Sequence, residues 1–230
     1  MKKFINGILG KFGYQVRATH APLQSFKIGL EHIARRFSID TVVDVGVAHN
    51  TNDLYEPFLG KKFLLIEANP AFKQHLEDLR IKLNAKVEMV FCGEKSGEII
   101  LNLPKNGRRA SAYTETYDTS VTVKTETLDT LVERNGLSSG SLLVKIDVEG
   151  AELDVLRGAP KTLEQSKVVV LEICWGVPFK PEAANYIDVL VFMRDSGFTL
   201  FNIVEGGGIS RHDRLTHADF IFVKSDIGHK

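Results

Sequence analysis

The sequence predicts an α/β fold, a mostly parallel sheet with helices on both faces, on three observations. Short runs rich in β-branched and aliphatic residues alternate with longer segments at helical spacing. Two of the runs, "TVVDVG" from Thr41 and "KFLLIE" from Lys62, are apolar almost throughout, as strands buried on both faces must be. Both runs then end at a carboxylate, Asp44 and Glu67. A chain of 230 residues with 43% hydrophobic content is long enough to bury a core of this kind in one domain, residues 1–230. No repeat, low-complexity tract or linker divides it.

The elements follow in order. "MKKFINGILGKFGYQVRATH" sets Phe4, Ile5, Ile8, Leu9 and Phe12 at helical spacing next to lysines. Gly7, Gly10 and Lys11 interrupt the apolar centre that a signal peptide needs. The segment reads as a helix that packs on the domain, with a membrane-surface contact as the alternative, and it forms an N-terminal helical extension over about residues 1–38. Gln24 to Phe37 is an amphipathic helix on Phe26, Ile28, Leu30, Ile33, Ala34 and Phe37. Thr41–Val45 and Lys62–Ile66 are strands, and Pro70 to Leu83 is a helix with proline at its first position. Lys86 to Phe91 reads as a third strand and Gly97 to Leu103 as an additional one. Pro104 to Ser120 is polar and rich in Ser, Thr and Tyr, a loop or lid that carries Arg108, Arg109, Tyr113 and Tyr117. Thr127 to Arg134 is a short helix ended by Asn135-Gly136, and Ser141–Ile146 a strand. A helix over Ala151 to Gln165 is broken by Gly158-Ala159-Pro160. Lys167–Ile173 is a strand and Pro181 to Ser196 a helix. Phe198–Val204 and Asp219–Lys224 close the sheet across a glycine-rich, His-containing loop.

Composition excludes some classes of function. Lys+Arg and Asp+Glu both number 29, so no net field gathers nucleic acid or an anionic membrane. Cys92 and Cys174 lie far apart, which argues against a disulfide framework and for a reducing cytoplasm. No apolar run approaches the ~20 residues of a membrane span.

In an open parallel sheet, ligands lie outside the carboxyl ends of the strands, where strand order reverses. Asp44, Glu67, Cys92, Asp147 and Glu172 all fall at or near strand ends, so they gather along one rim. A pyrophosphate cofactor would want G-x-G-x-x-G, but after Gly46 this turn runs Val47-Ala48-His49-Asn50. An acidic residue placed to accept two ribose hydroxyls, with more negative charge at the rim, suits a nucleoside that bears a cation and no phosphate. S-adenosylmethionine is such a molecule.

These residues also carry a family resemblance. "LLVKIDVEGAELDVLRGA", Leu142 to Ala159, resembles the pattern KxDVEGxExxVLxGA of the FkbM-type methyltransferases. "VVDVGV" at Val42 to Val47 is similar to their first cofactor motif, and "LLIEANP" at Leu64 to Pro70 to their ribose motif. "TETLDTLV" before the signature and "VVVLEI" after it agree in order and spacing. The likeness covers about Asp40 to Ile173, with a fainter match in "DFIFVK". Val47 to Asn50 depart from the fuller GANxG of many relatives. The resemblance implies a Rossmann-like methyltransferase fold, whose mostly parallel seven-stranded sheet has an antiparallel last strand. It also implies S-adenosylmethionine as cofactor and O-methylation of a hydroxyl on a sugar, glycan or other secondary-metabolite acceptor.

On this reading Asp44 and Gly46 hold the methionine end of the cofactor and Glu67 the ribose. Asn69 stands beside Glu67 as a further cofactor candidate or simply a helix start. Cys92 and Gly93 lie where adenine should be, with Cys92 equally readable as a small core residue. Ser111 matches a family serine near the cofactor. Asp147, Glu149 and Glu172 are the catalytic candidates; Asp147 reaches acceptor hydroxyl or donor head, and Glu149 has helix capping as its alternative. Lys145 reads as a structural ion-pair partner. His49, His212 and His217 lack the spacing of a zinc site, and no metal is expected. His212 reads as a surface histidine or as a base or acceptor contact, and Trp175 as an acceptor wall or as packing. Two rival readings are a cofactor-binding module without catalysis and, with neither the glycine-rich turn nor a Tyr-x-x-x-Lys pair to support it, an NAD-dependent oxidoreductase.

Overall fold

The computed structural model describes residues 2–9, 25–48, 52–103, 110–112, 118–175, 183–204 and 215–225. Every residue of β1 (Thr41–Val45) and β7 (Leu142–Ile146) is buried, the polar Asp44 and Lys145 included. They pair in parallel at the centre of a seven-stranded sheet. Its order is β3 (Lys86–Glu88), β2 (Lys62–Ile66), β1, β7, β8 (Ser166–Cys174), β10 (His217–Lys224), β9 (Phe198–Val204). All pairings are parallel except those of β10, which runs against both β8 and β9. Strand order reverses between β1 and β7, so a crevice opens beyond their carboxyl ends.

Alternate residues of each strand feed two cores, as the two-residue period requires. Val43, Val45, Leu64, Ile66, Val144, Ile146, Val169 and Leu171 pack on one face. There they meet α5 (Leu128–Arg134), α6 (Glu152–Arg157), α7 (Pro160–Gln165) and α8 (Tyr186–Asp195). Val42, Phe63, Leu65, Leu143, Val168 and Val170 pack on the other, under α2 (Phe26–Arg36), α3 (Asn52–Tyr55) and α4 (Lys73–Leu83). Local signals set the helix ends. Ser25 caps α2 and Thr127 caps α5, and Asn185 and Asp188 form a capping box that starts α8 at Tyr186, later than the expected Pro181. The N-terminal periodicity is realised as α1 (Lys2–Leu9), with Phe12 outside the described residues. Among the described residues no helix is long and apolar enough to cross a membrane.

Two expectations need correction. The strand expected over Lys86 to Phe91 is two strands in two sheets. The chain leaves the large sheet after Glu88, and β4 (Phe91–Cys92) joins a second sheet of order β4, β6 (Thr119–Glu126), β5 (Gly97–Leu103). β6 takes the end of the segment read as a loop to Ser120. Its "TSVTVKTE" alternates Val121 and Val123 with polar residues and pairs antiparallel with β5 from Thr119 to Thr125.

The break between α6 and α7 packs against the chain just past β4 and β6 of the second sheet. A Cβ on Gly158 would lie 2.2 Å from the carbonyl oxygen of Gly93, just past β4. We therefore expect Gly158→Ala to destabilise the chain by roughly 2 kcal/mol or more, measured as a lowered thermal midpoint. An unchanged midpoint would mean that this backbone contact yields freely.

Candidate active site

Because β1, β7, β8 and β10 stay in register beyond the irregularity at Leu142–Leu143, polar residues between core positions fall on one sheet face. Asp44 stands directly opposite Lys145, Glu172 opposite Asp219, and Cys174 opposite His217. The face is the one that α2, α3 and α4 cover. Lys145 is 3% exposed. Its Nζ lies 2.9 Å from Asp147 Oδ2 and 3.6 Å from Asp44 Oδ1. Asp44 is wholly buried, and its Oδ2 accepts a hydrogen bond of 2.6 Å from the Tyr55 hydroxyl of α3.

Protonation follows from these contacts. Burial alone would strip the proton from Lys145, but Asp147, Asp44 and Asp219 outweigh it and hold the ammonium charged. Burial likewise opposes a charge on Asp147; the ammonium, with hydrogen bonds from Glu172 and Lys145, still keeps its carboxyl below the usual range. Burial and the Asp147 charge push Glu172 far up, so that it carries a proton at neutral pH. His217 Nε2 lies 3.6 Å from Glu172 Oε1, and its Nδ1 3.1 Å from the Thr216 hydroxyl.

A cavity of about 210 Å³ opens at this edge. Its polar lining comes from Glu67, Asp147, Glu149 and Glu172, and its apolar lining includes Phe72, Val90, Phe91 and Leu101. Gly46 forms one wall with φ +86°, and a Cβ there would lie 1.8 Å from the Asp147 carbonyl oxygen, so only glycine fits. Glu67 is 7% exposed. Its Oε2 accepts from the Ala48 N–H at 2.9 Å and its Oε1 from the Asn69 N–H at 2.7 Å, which ties the first loop to the end of β2. Burial pushes its carboxyl upward. Glu149 adopts φ +53°, an uncommon value for a side-chain-bearing residue, and its carbonyl accepts a 2.6 Å hydrogen bond from the Ser111 hydroxyl.

Of the residues singled out in the sequence, Gly46, Glu67, Cys92, Asp147, Glu149 and Glu172 line this cavity together. The others stand behind it. Asp44 supports Lys145. Asn69 caps the short 3-10 turn Pro70–Phe72, its Oδ1 accepting from the Ala71 N–H at 3.0 Å. Gly93 donates to the Glu126 carbonyl and backs onto Gly158. Ser111 does not sit on a free loop. It pairs with Asn102 of β5 through two backbone hydrogen bonds of 3.1 Å and braces the Glu149 turn. Trp175 packs edge-on against Phe220 and donates its indole N–H to the Leu215 carbonyl. His49, His212, Arg108, Arg109, Tyr113 and Tyr117 lie outside the described residues. Tyr55, Asp219 and the apolar lining were not singled out. Asp219 could have been found, since it shares the strand parity of the buried Ile221 and Val223. Tyr55 carries no signal in sequence.

The lining discriminates between ligands. Four acidic side chains, of which Asp147 is held ionised, and no Lys, Arg or His among the described lining residues would disfavour a pyrophosphate and favour a cation. The apolar side suits a flat ring. The residues present therefore fit S-adenosylmethionine. Candidate ligand atoms of Glu149, Glu172 and Cys174 all lie within 4.8 Å of one another. Burial raises both the Glu172 carboxyl and the Cys174 thiol, however, which leaves this cluster short of the anionic donors a divalent ion needs.

Glu152, which accepts from the Gly150 N–H at 3.0 Å, tests the electrostatics of the turn from outside the cavity lining. Burial pushes its carboxyl from 4.5 up to about 7. Below about pH 4.5 the proton is bound whether the chain is folded or not, so stability is untouched; as pH rises through about 7 the folded state must ionise a buried group and loses up to about 3 kcal/mol. Glu152→Gln should leave the thermal midpoint nearly unchanged near pH 4 and raise it near pH 8. Equal shifts at both would remove ionisation as the cause.

Residues 44–200 match the methyltransferase FkbM domain. The hexuronic acid methyltransferase AglP of Haloferax volcanii is 36% identical over 87 residues, 35% of this chain and 36% of that protein. The chain thus matches about a third of that relative's length. TehB from Haemophilus influenzae aligns with a TM-score of 0.48 at 11% identity, over 95% of this chain and 66% of that one. An S-adenosylmethionine-dependent methyltransferase from Clostridium acetobutylicum aligns at 0.45 and 10% identity, over 96% and 97%. The family match begins at Asp44, takes in the cavity wall and the Asp147–Glu172 pair, and runs into β9; the chain belongs to the FkbM methyltransferase domain family, whose methyl donor is S-adenosylmethionine.

Proposed function

We propose that the chain transfers a methyl group to a hydroxyl oxygen of a sugar, glycan or related secondary-metabolite acceptor. The observation that supports this most is the Asp147–Glu172 carboxyl pair, one ionised and one protonated, facing an acid-lined cavity. When bound, S-adenosylmethionine supplies a methyl carbon whose bond to a cationic sulfur breaks, the electron pair staying on sulfur, as the acceptor oxygen bonds to that carbon. Glu67 would hold the ribose hydroxyls through the lone pairs left beyond its two backbone bonds. Phe72, Val90, Phe91 and Leu101 would bury the adenine.

Asp147 takes the hydroxyl proton. A carboxylate held this acidic is a weak base toward a neutral alcohol, but the proton becomes strongly acidic as the new C–O bond forms, so transfer comes late. Glu172 keeps its own proton and hydrogen-bonds to Asp147, which orients the accepting carboxylate. The strained Glu149 turn, braced by Ser111, carries a further carboxylate to the cavity wall. The name of the Haloferax relative, a hexuronic acid methyltransferase, supports a sugar as acceptor. The balanced net charge and acidic cavity favour a small molecule or glycan over nucleic acid.

A radiolabelled methyl-transfer assay over hexoses, hexuronic acids and their glycosides tests the reading. Asp147→Asn should keep a native near-UV circular dichroism spectrum and lose transfer by on the order of 100-fold or more; normal turnover would take Asp147 out of the mechanism. Glu67→Ala should weaken donor binding about tenfold by calorimetry, and unchanged affinity would move the ribose elsewhere. Binding of donor without transfer to any acceptor would favour a cofactor-binding module.

A further inference from the structure

Lys145 is buried among the site's acids without lining the cavity. Its ammonium is held between two carboxylates, Asp147 Oδ2 at 2.9 Å and Asp44 Oδ1 at 3.6 Å, and its side chain is 4% exposed. Asp44 is anchored in turn by the Tyr55 hydroxyl from α3. We propose that Lys145 is a positioning residue that fixes the charge of the cavity wall: it keeps the negative charge on Asp147 and leaves the shared proton on Glu172, so that the wall presents one permanent anion to a cationic sulfur. This rests on the reading of the cavity as the donor site.

The groups that face Lys145 and Asp147 come from every neighbouring strand. They are Asp44 on β1, Glu149 in the turn after β7, Glu172 on β8, and Asp219 and His217 on β10. Most of them are acids, and acids so close together cannot all ionise. A cation placed against one of them decides which does. Without Lys145, Asp147 would take up a proton like its neighbour, and the wall would hold two neutral carboxyls.

The donor and its demethylated product, S-adenosylhomocysteine, share the adenosine and amino-acid parts and differ by one methyl and one charge on sulfur. The role proposed for Lys145 therefore appears in the ratio of their affinities. Calorimetry near pH 7.5 should show Lys145→Met losing affinity for S-adenosylmethionine by on the order of tenfold or more, with S-adenosylhomocysteine changed less than about twofold. Lys145→Arg, which keeps the charge, should keep the wild-type ratio. Equal losses for both ligands in Lys145→Met would overturn the proposal and leave Lys145 a prop of the fold.

The wild-type chain supplies a second measurement that does not depend on a variant folding. The ratio of the two affinities should vary by less than about threefold between pH 6 and pH 9, because Asp147 stays ionised throughout. A ratio that climbs steeply through neutrality would assign the charge to Glu172, Asp219 or His217 and overturn the proposal. If the wild-type chain bound neither ligand, the donor-site reading itself would fall, an outcome distinct from either of these.

Discussion

A buried lysine between two carboxylates is the constraint on which the centre of this molecule depends. An ammonium so deep in the protein is tolerated only with its partners in place, since each charge would be costly alone. Asp44 and Lys145 meet because β1 and β7 pair in parallel with those two residues in register. Asp147 completes the set because it lies two residues on, on the same face. The closeness of the two strand ends then dictates Gly46, where the Asp147 carbonyl occupies the space a side chain would need. The central strand pair and the candidate site are thus one construction: a one-residue slip of β7 would turn Lys145 and Asp147 toward the opposite, apolar core and leave Asp44 without its cation.

The second sheet gives the cavity its other half. Phe91, Cys92 and Leu101 bring apolar surface from β4 and β5 against the acidic rim. Ser111 ties that sheet to the Glu149 turn, through its pairing with Asn102 on one side and its hydroxyl on the other. The segment "TETLDTLV" serves the frame. Thr127 caps α5, while Asp129 accepts from the Lys161 and Thr162 N–H groups at 3.0 and 2.8 Å and so caps α7. This family-like motif holds helices, whereas the KIDVEG turn lines the cavity.

The large sheet was legible because its strands are buried on both faces and carry little but aliphatic residues, and because their ends coincide with Asp44, Glu67, Asp147 and Glu172. β6 was not, since Thr122, Lys124 and Thr125 give it the composition of a loop and only its two-residue period marks it as a strand. The split after Glu88 was equally hidden: Met89 and Val90 continue the apolar run, and the departure into another sheet is decided by partners far along the chain. At the site, the rim was readable from strand ends alone. Which rim residues face the cavity was not, because Asn69 and Asp44 differ from Glu67 only in where their side chains turn. Asn69 is used by the 3-10 turn after it, and Asp44 by Tyr55 and Lys145.

Asp147 and Glu172 look alike in sequence, acids at the ends of adjacent parallel strands, and yet they hold different charge. Two carboxyls in hydrogen-bond contact share a single proton comfortably, and the local field decides which of them keeps it. In a strand the residue two positions earlier lies on the same face. For Asp147 that residue is Lys145, a cation at 2.9 Å; for Glu172 it is Val170, part of the apolar core. The first acid is thereby held ionised and the second protonated, before any ligand arrives. K-x-D on one strand and V-x-E on the next set a cation beside the first acid and an apolar residue beside the second, and strand pairing adds the burial and the neighbouring Asp147, Glu149 and Asp219 that keep the proton on Glu172.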